Sequence, residues 1–353
     1  MQRTAKTTGK VNIAAFCLAV FLFFSAGCNS SQTGASDYVT IDGFAQGGTY
    51  HIVYRQPAGQ TDTSIKDSLA LYFEAINKSI SGYDSLSIIT RINNGEDIPL
   101  DRIFTEVFDA SYQVYKESGG AFDISAAPFF DVWGFGFKNK EKVTPEMIDS
   151  LMKFVGMDKL SIENGHLKKA DSRMKVNFNA IAQGYTCDYI SGKFDAMGIT
   201  DYLLEVGGEI YCKGLNAKGE AWRVAIDKPL DGNFIPGDEI EAVLLLSDKG
   251  LVTSGNYRKF YVEDGVKYSH TIDPKTGYPV RHNLLSATVI ARNATIADAY
   301  ATYFMVVGLE KAKEILAATP DMDALLVYGT QDSMQIYSTP GIRTDKDFEK
   351  HHN

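Results

Sequence analysis

The segment TIADAYAT, residues 295–302, presents oxygen-bearing side chains at a spacing that could hold a hard cation. Asp298 and Thr302 are four positions apart, so on a helix predicted near residues 296–307 they share one face. Carboxylate and hydroxyl oxygens suit Mg²⁺, which binds one or two protein carboxylates and leaves positions for phosphate oxygens. An acidic residue is also common in the first turn of a helix for purely structural reasons. The spacing therefore predicts either a magnesium site or an ordinary helix start.

A second segment, VNFNAIAQGY at residues 176–185, reads as a strand that leads directly into a helix. We predict the strand over residues 174–178 and the helix from Ala180 to about Met197. Backbone N–H groups at such a helix start can hold an anion, and Gly184 would permit close approach of a ligand or a second helix. The alternative is a common strand-to-helix turn with no ligand.

The segment YSHTIDPKTG, residues 268–277, combines a histidine with a turn signature, DPKTG. His270 could accept or donate a proton near neutral pH. It could equally be a half-buried histidine with a structural role.

Glycines and aromatic residues cluster in two loops, GGAFD at residues 119–123 and WGF at residues 133–135. Such loops can form an aromatic wall for a planar ring, or their rings can fill the core. The pair Gly207-Gly208 follows a predicted strand and indicates a bulge or a backbone that approaches a ligand.

Composition excludes two classes of protein. The chain has 353 residues, of which 44% are hydrophobic, so it can bury a sizeable core and is not disordered over most of its length. Its net charge of -9, without a run of Lys and Arg, argues against a nucleic-acid-binding surface.

Helices and strands alternate without a regular βαβ rhythm, which favours an α+β fold. We predict one helix with Thr63 or Ser64 as its N-cap, another over residues 101–117, and a third that starts at Pro145 and stops at Gly156. The C-terminal half is predicted to be rich in strands, at residues 202–206, 221–226, 241–247, 258–262, 285–291 and 323–328.

The N-terminus resembles a bacterial export signal. Positive residues precede an apolar run at residues 11–24, which is short for a membrane span, and the small residues Ser25-Ala26-Gly27 precede Cys28. This pattern resembles a lipobox, in which the cysteine carries the lipid, although an ordinary cleaved signal peptide is the alternative. Cys187 and Cys212 would then remain, and two buried free thiols are favoured over a disulfide.

The order of the motifs resembles the ApbE family of FAD:protein FMN transferases over residues 38–340. The motifs that carry the resemblance are QGGTY (46–50), SGYDSLSIITRIN (81–93), GGAFDISAAP (119–128), WGF (133–135), NFNAIAQGYTCD (177–188), LLEVGGEIY (203–211), WRVAIDKP (222–229), TSGNYRKF (253–260), YSHTIDPKTG (268–277) and ADAYATYFMVVG (297–308).

This resemblance implies a single α+β catalytic domain of two intertwined lobes, with mixed or antiparallel sheets and flanking helices. The chain would comprise a signal peptide (1–27), a lipid-anchored tether (28–37), the catalytic domain (38–340) and a C-terminal tail (341–353). The implied reaction is the Mg²⁺-dependent transfer of FMN from FAD to a Thr or Ser hydroxyl of an exported or membrane protein, such as a redox-complex subunit, with release of AMP. The implied location is the cell envelope, where the lipid would hold the protein on a bacterial membrane facing the periplasm or exterior.

The resemblance also implies roles for individual residues. The metal ligands would be Asp298, Thr302 and the carbonyl of Ala180, and His270 would lie beside the reacting phosphate. Contacts to FAD would come from Gln46, Tyr83, Ala121, Phe122, Asp123, Asn177, Gln183 and Ile272.

Three positions depart from the family pattern. Gly48 replaces a Thr, Asn177 replaces an Asp that many relatives have, and Gln183 replaces a Lys. The last two changes remove one negative and one positive charge together. Two alternatives therefore stay open, an FAD pyrophosphatase that yields FMN and AMP, and a flavin-binding lipoprotein without turnover.

Overall fold

The computed structural model describes residues 37–57, 59, 61–136, 140–230, 237–256, 260–263, 266–330 and 333–352. The predicted signal peptide, Cys28 and nearly all of the tether lie outside this part of the chain. Residues 36–353 form one compact unit. Within the described ranges, no helix is both long and apolar enough to cross a bilayer.

The described residues form sixteen strands. In chain order they are β1 (Tyr38–Ala45), β2 (Gly48–Arg55), β3 (Leu160–Glu163), β4 (His166–Lys169), β5 (Tyr202–Val206), β6 (Glu209–Lys213), β7 (Trp222–Asp227), β8 (Ile240–Leu246), β9 (Lys249–Gly255), β10 (Phe260–Glu263), β11 (Val266–Ser269), β12 (Ile272–Asp273), β13 (Tyr278–Pro279), β14 (Leu284–Ala291), β15 (Asp323–Gly329) and β16 (Met334–Ser338).

The same residues form nine α-helices and two short 3-10 turns. The helices are α1 (Asp62–Ile80), α2 (Ile88–Asn93), α3 (Arg102–Glu117), α4 (Ala127–Val132), α5 (Pro145–Met152), α6 (Ala182–Ala196), α7 (Ala294–Val307), α8 (Leu309–Ala318) and α9 (Lys346–His352). The 3-10 turns are Ile124–Ala126 and Met157–Lys159.

Eight strands build one antiparallel sheet in the order β1-β2-β5-β6-β9-β14-β15-β16. The remaining strands form four two-stranded antiparallel sheets, β3-β4, β7-β8, β10-β11 and β12-β13. This large antiparallel sheet with helices packed against it confirms the α+β prediction.

Helix α7 lies at the centre of the molecule, where it contacts β9 and β14 of the main sheet and helices α3, α6 and α8. It is buried along nearly its whole length, which is the pattern of a helix enclosed on all sides. Asn293 caps its start by accepting a hydrogen bond from the N–H of Ile296 at 2.9 Å. Its end is set by Gly308, whose φ of 79° leaves the helical region.

The start of α7 is seated on a strand that has no side chain at the point of contact. A Cβ built on Gly250 of β9 would lie 2.3 Å from the backbone nitrogen of Ala294. Glycine at this position therefore lets the main sheet and the start of α7 approach closely.

Three predicted elements differ from the structure. The N-cap of α1 is Thr61, whose hydroxyl accepts from the N–H of Ser64, so neither Thr63 nor Ser64 is the cap. Helix α5 ends at Met152 with Lys153 as its C-cap, before Gly156. The third difference is residues 174–178, which form no strand.

Residues 174–178 run along the core without a ladder partner. Asn93 at the end of α2 takes the place of a neighbouring strand, since its side chain accepts from the N–H of Val176 at 2.9 Å and donates to the carbonyl of Val176 at 2.8 Å. Met174, Val176 and Phe178 are all buried, which explains why their alternation resembles a strand.

Residues 341–352 pack against the domain by backbone hydrogen bonds. The N–H of Leu245 donates to the carbonyl of Arg343, and the N–H of Asp345 donates to the carbonyl of Val243, both at 2.8 Å. Cys187 and Cys212 are both buried and free, which confirms the favoured assignment of the two thiols.

We expect Gly250→Ala to lower the free energy of unfolding by about 1–3 kcal/mol, because the added methyl group collides with backbone that cannot rotate away. A matched control is Gly192→Ala in α6, where an added Cβ meets nothing within 4 Å. We expect that control to raise the stability by about 0.4–1 kcal/mol. Urea unfolding of the two variants measures both changes. An unchanged urea midpoint for Gly250→Ala would contradict the close packing of β9 against the start of α7.

Candidate active site

Asp298 lies in the second turn of α7 and is 4% exposed. Its Oδ2 atom accepts one hydrogen bond, from the N–H of Gly184 at 3.1 Å. No other described residue donates a hydrogen bond to its carboxylate, and no described Lys or Arg forms an ion pair with it. A buried carboxylate with a single donor has lost most of its hydrogen bonds to water and has gained only one in return. Such a group is suited to bind a cation.

The environment of Asp298 is reflected in its protonation. Burial is the largest cause that raises the pKa of Asp298, the N–H of Gly184 acts in the opposite direction and the nearby carboxylate of Asp188 adds to the rise, so the pKa is about 7. Without a cation, the site therefore holds Asp298 partly protonated near neutral pH.

The two remaining predicted ligands, Thr302 and the carbonyl of Ala180, lie on α7 and just before α6. Thr302 is one turn further along α7 and is half-buried, and no described residue is recorded as a partner of its hydroxyl. Ala180 precedes α6, and no backbone N–H of the described residues donates to its carbonyl oxygen. Both oxygens are thus available for a ligand.

The approach of α6 to α7 depends on Gly184. A Cβ built on Gly184 would lie 2.3 Å from the carbonyl oxygen of Ala294 and 2.7 Å from the Cβ of Asp298. Only glycine allows this contact, which brings the N–H of residue 184 into bonding distance of Asp298.

The start of α6 is less open to an anion than the sequence suggests. The N–H groups of Ile181 and Ala182 both donate to the carbonyl of Phe178, at 3.0 and 2.9 Å. Together with the bond from Gly184 to Asp298, these contacts leave few free donors at the helix start. A diphosphate at this point would therefore need a cation more than it needs the helix N-terminus.

Asn177 connects this segment to the loop at residues 119–123, named the flavin loop here because the family resemblance predicts that it contacts FAD. Its N–H donates to the carbonyl of Ile124 at 2.8 Å, and its side-chain oxygen accepts from the N–H of Asn179. The structure therefore places Asn177 beside Ile124, the residue that directly follows this loop.

The flavin loop presents mainly backbone groups to a ligand, because its apolar side chains are buried. Ala121 and Phe122 are 3% and 2% exposed, so the ring of Phe122 fills the core and does not form an aromatic wall. Asp123 accepts from the N–H and hydroxyl of Ser125 at 2.7 and 2.6 Å. Burial raises the pKa of Asp123 to about 6, although these two hydrogen bonds act in the opposite direction. Lys275 reaches the same loop, since its Nζ lies 3.9 Å from a Cβ built on Gly119.

A group of turns forms the other side of the helix start. Gln46 adopts a positive φ of 53°, and its side-chain amide donates to the hydroxyl of Thr186 at 2.8 Å. The amide of Gln183 lies against Gly207, where a Cβ would be only 1.9 Å from its Nε2 atom. Gly207 also approaches Gly48 closely, because a Cβ on Gly48 would lie 3.3 Å from the Cα of Gly207. Two of the three departures from the family pattern therefore meet at one turn.

An aromatic cluster flanks His270. The rings of Phe135, Tyr261, Tyr268 and Trp133 follow one another in stacked pairs, with centroids 5.2–5.7 Å apart. His270 is half-buried and lies edge-on to Phe135, with ring centroids 6.4 Å apart.

Trp133 and Ile272 connect this cluster to the rest of the domain. The indole N–H of Trp133 donates to the carbonyl of Gly277 at 2.8 Å and so fixes the DPKTG turn. Ile272 is 2% exposed, which leaves its main chain for a ligand, and its strand β12 packs beside α7.

Tyr83 stands apart from these contacts on the loop between α1 and α2, where it is 77% exposed. The loop is held by hydrogen bonds from the hydroxyls of Ser87 and Thr90 to the carbonyl of Ser81. The phenol is therefore presented to solvent on an ordered loop, where a ligand could stack on it.

Sequence reasoning missed two residues that build the site. Asn93 lies 83 positions from Val176, so no local pattern could reveal their pairing. Asp188 directly follows the buried residue Cys187 in α6, and a carboxylate beside buried positions of a predicted helix was a usable signal.

The donors present fit a magnesium ion. No group of three or more His, Cys, Asp or Glu residues that could hold a metal ion occurs within the described residues. One carboxylate, one hydroxyl and one carbonyl are instead the sparse oxygen set of an ion that shares its shell with water and phosphate.

We expect the metal-free protein to lose stability as the pH rises from about 4 to about 7, because the folded state holds a proton on Asp298 that the unfolded chain releases at lower pH. The contribution of this protonation is full below the unfolded pKa and is lost as the pH passes the folded pKa. Thermal unfolding in EDTA at several pH values measures the slope.

The variant Asp298→Asn removes the titration and should flatten part of this slope. Asp149→Asn, on the exposed face of α5, is the matched control and should keep the wild-type slope. Equal slopes for wild type and Asp298→Asn would show that Asp298 does not hold the proton.

Comparison with known proteins gives an independent result. The sequence profile of the ApbE family matches residues 46–326. A Haemophilus influenzae protein named FAD:protein FMN transferase is 33% identical over 290 residues, which cover 78% of this chain and 83% of that protein. An Escherichia coli K12 protein of the same name is 30% identical over 340 residues, covering 93% and 95%.

Solved structures agree. The flavin transferase ApbE from Vibrio cholerae has a TM-score of 0.77 at 30% identity, covering 86% of this chain and 97% of that one. The apo form of the Pseudomonas stutzeri flavinyl transferase ApbE also has a TM-score of 0.77 at 30% identity, with 86% and 95% covered. This chain belongs to the ApbE family.

Proposed function

We propose that this chain is a magnesium-dependent transferase that moves FMN from FAD to a Thr or Ser hydroxyl of another protein and releases AMP. Its relatives named FAD:protein FMN transferase and flavin transferase support flavin transfer from FAD to a protein. The single observation that supports the metal is the buried carboxylate of Asp298, which has one hydrogen bond and no recorded cationic partner among the described residues.

Asp298, Thr302 and the Ala180 carbonyl would hold the ion. When bound, Mg²⁺ would neutralise charge on the diphosphate oxygens and orient the phosphorus for in-line attack. The net charge of -9 favours such neutralisation, because an acidic protein repels a dianionic linker at long range.

The rest of the site would bind and orient FAD through uncharged groups. The side-chain amide of Gln183 lies near the start of α6 and would contact FAD without adding charge, and Gln46 is held nearby by its hydrogen bond to Thr186. The backbone of the flavin loop and the exposed ring of Tyr83 offer surfaces for the two ring systems.

The proposed step forms one bond and breaks one. The acceptor hydroxyl oxygen bonds to the FMN phosphorus, the bond from that phosphorus to the bridging oxygen breaks, and AMP leaves with the bridging oxygen. The hydroxyl proton must pass to a base, and we assign this role to His270 because it is half-buried near the strand that packs beside α7.

We expect the full-length protein, purified in mild detergent, to label an acceptor with FMN. It would be incubated with FAD and Mg²⁺ in an envelope extract of its own cells, and flavin fluorescence would be read on a denaturing gel while AMP is assayed by chromatography. Fluorescent protein and AMP should form in equal amounts. EDTA should stop both, and Asp298→Asn should slow both by more than the roughly 10–100-fold typical of residues behind a metal ligand. Asp149→Asn should behave as wild type.

The other products have definite meanings. A purified relative that is an active transferase establishes that the extract contains a competent acceptor. If that relative labels a protein while this chain yields only free FMN and AMP, this chain is an FAD pyrophosphatase. Intact FAD under the same conditions would leave a flavin-binding protein without turnover.

We also propose that Cys28 carries a lipid that holds the enzyme on the outer side of a bacterial membrane, within the cell envelope. Support comes from the small residues before Cys28 and from the polar sequence that follows it. Acceptors would then be exported or membrane proteins within reach of the anchor.

We expect Cys28→Ser to abolish incorporation of radiolabelled fatty acid and to shift the protein from the membrane fraction to the soluble fraction. Cys187→Ser is the matched control, since that thiol is buried in the folded domain. Retention of both label and membrane association by Cys28→Ser would exclude lipidation at this residue.

A further inference from the structure

Asp188 links the two helices of the site at a point that the proposed reaction does not use. It lies in α6, and its Oδ1 atom accepts from the N–H of Ala294 at 2.9 Å. Its Oδ2 atom accepts from the N–H of Thr295 at 2.8 Å and from the hydroxyl of Thr295. One carboxylate thus receives three donors at the start of α7.

A capping role alone does not account for this arrangement. Asn293 already caps α7 from within the same segment, through the N–H of Ile296. Asp188 instead satisfies the two preceding N–H groups from a different helix. Its bonds therefore fix where α6 and α7 lie relative to each other.

The bonds of Asp188 and Gly184 act together as a two-point clamp. Gly184 and Asp188 are one turn apart on α6, and their partners on α7, Asp298 and residues 294–295, are also one turn apart. A single contact would permit the helices to rotate about it, whereas two contacts one turn apart fix both rotation and sliding. The position of the Asp298 carboxylate consequently depends on Asp188.

The partner of the Asp188 charge is the helix itself. No Lys or Arg of the described residues forms an ion pair with Asp188, although the side chain borders a groove of about 730 Å³ between α3, α6 and the start of α7. The positive end of the α7 dipole and three hydrogen bonds stabilise the carboxylate instead. In Asp188→Asn, an amide NH₂ group would replace one carboxylate oxygen and would face the N–H donors of α7, so at least one hydrogen bond would be lost.

We infer that Asp188 is a positioning residue of the transferase centre, which holds α7 against α6 so that Asp298 meets the Gly184 N–H and faces the ion. This inference rests on the proposed function, because it concerns the same metal site. The effect is exerted through Asp298 and does not require Asp188 to touch FAD or the ion.

The test compares Asp188→Asn with Asn293→Ala, which removes a cap of the same helix and leaves the clamp intact. Two measurements are made in the full-length protein, the affinity for Mn²⁺ by electron paramagnetic resonance and the hydrogen–deuterium exchange of the peptide that contains Gly184. We expect Asp188→Asn to weaken Mn²⁺ binding about 10–100-fold, as for other residues that orient a metal ligand. It should also speed exchange at Gly184. Asn293→Ala should lower the melting temperature yet keep Mn²⁺ affinity within about threefold, less than RT ln 10 in free energy.

A milder variant keeps the test valid if Asp188→Asn does not fold. Thr295→Val removes only the hydroxyl donor and should give a smaller change of the same kind in both measurements. In transfer assays, Asp188→Asn and Thr295→Val should lower kcat more than they raise KM for FAD.

Three results would separate the hypotheses. Equal losses of Mn²⁺ affinity in Asp188→Asn and Asn293→Ala would overturn the positioning role and leave a simple cap. Unchanged exchange at Gly184 in Asp188→Asn would overturn the clamp. A wild-type protein that shows the clamp in exchange but neither binds Mn²⁺ nor transfers flavin would overturn the proposed function instead.

Discussion

The site depends on the close contact between the first turn of α6 and the first two turns of α7. Gly184 permits that contact, since any side chain there would collide with Ala294 and Asp298. Two consequences follow from one missing Cβ. The carboxylate of Asp298 is removed from water, and it meets a backbone N–H in place of a Lys or Arg. A residue that is buried and incompletely neutralised in this way is suited to a cation that arrives with its substrate.

The main sheet supports this contact from below. Gly250 lets β9 approach the start of α7, and Asp188 joins that start to α6. The proposed metal ligands Asp298 and Thr302 are thus held on a helix that a strand, a second helix and backbone hydrogen bonds fix in place. Such support would keep the proposed ligand carboxylate of Asp298 within the narrow tolerance that the proposed transfer requires.

The sequence predicted the fold class, the family and most elements, because these depend on local spacing and on the order of motifs. Helix α5 illustrates this, because Thr144 as N-cap and Pro145 at the first helical position are local signals that can be read from the sequence alone. Segments whose conformation depends on residues far away in the sequence could not be predicted in this way. The backbone of Val176 is held by a side chain 83 positions away, so an alternating pattern was read as a strand. The sequence left open whether Phe122 lines an aromatic wall or fills the core, and its burial in the main hydrophobic cluster decides for the core. The roles of the individual site residues stay predictions.

The turn that joins β5 to β6 has an evolutionary consequence. The backbone of Gly207 lies against Gly48 on one side and against the amide of Gln183 on the other. A side chain at position 48 would require the Gly207 turn to shift by a few tenths of an ångström, and the amide of Gln183 packs on that same turn. A substitution at position 48 is therefore felt at position 183 through one shared backbone turn, so the two positions are expected to change in a coupled way.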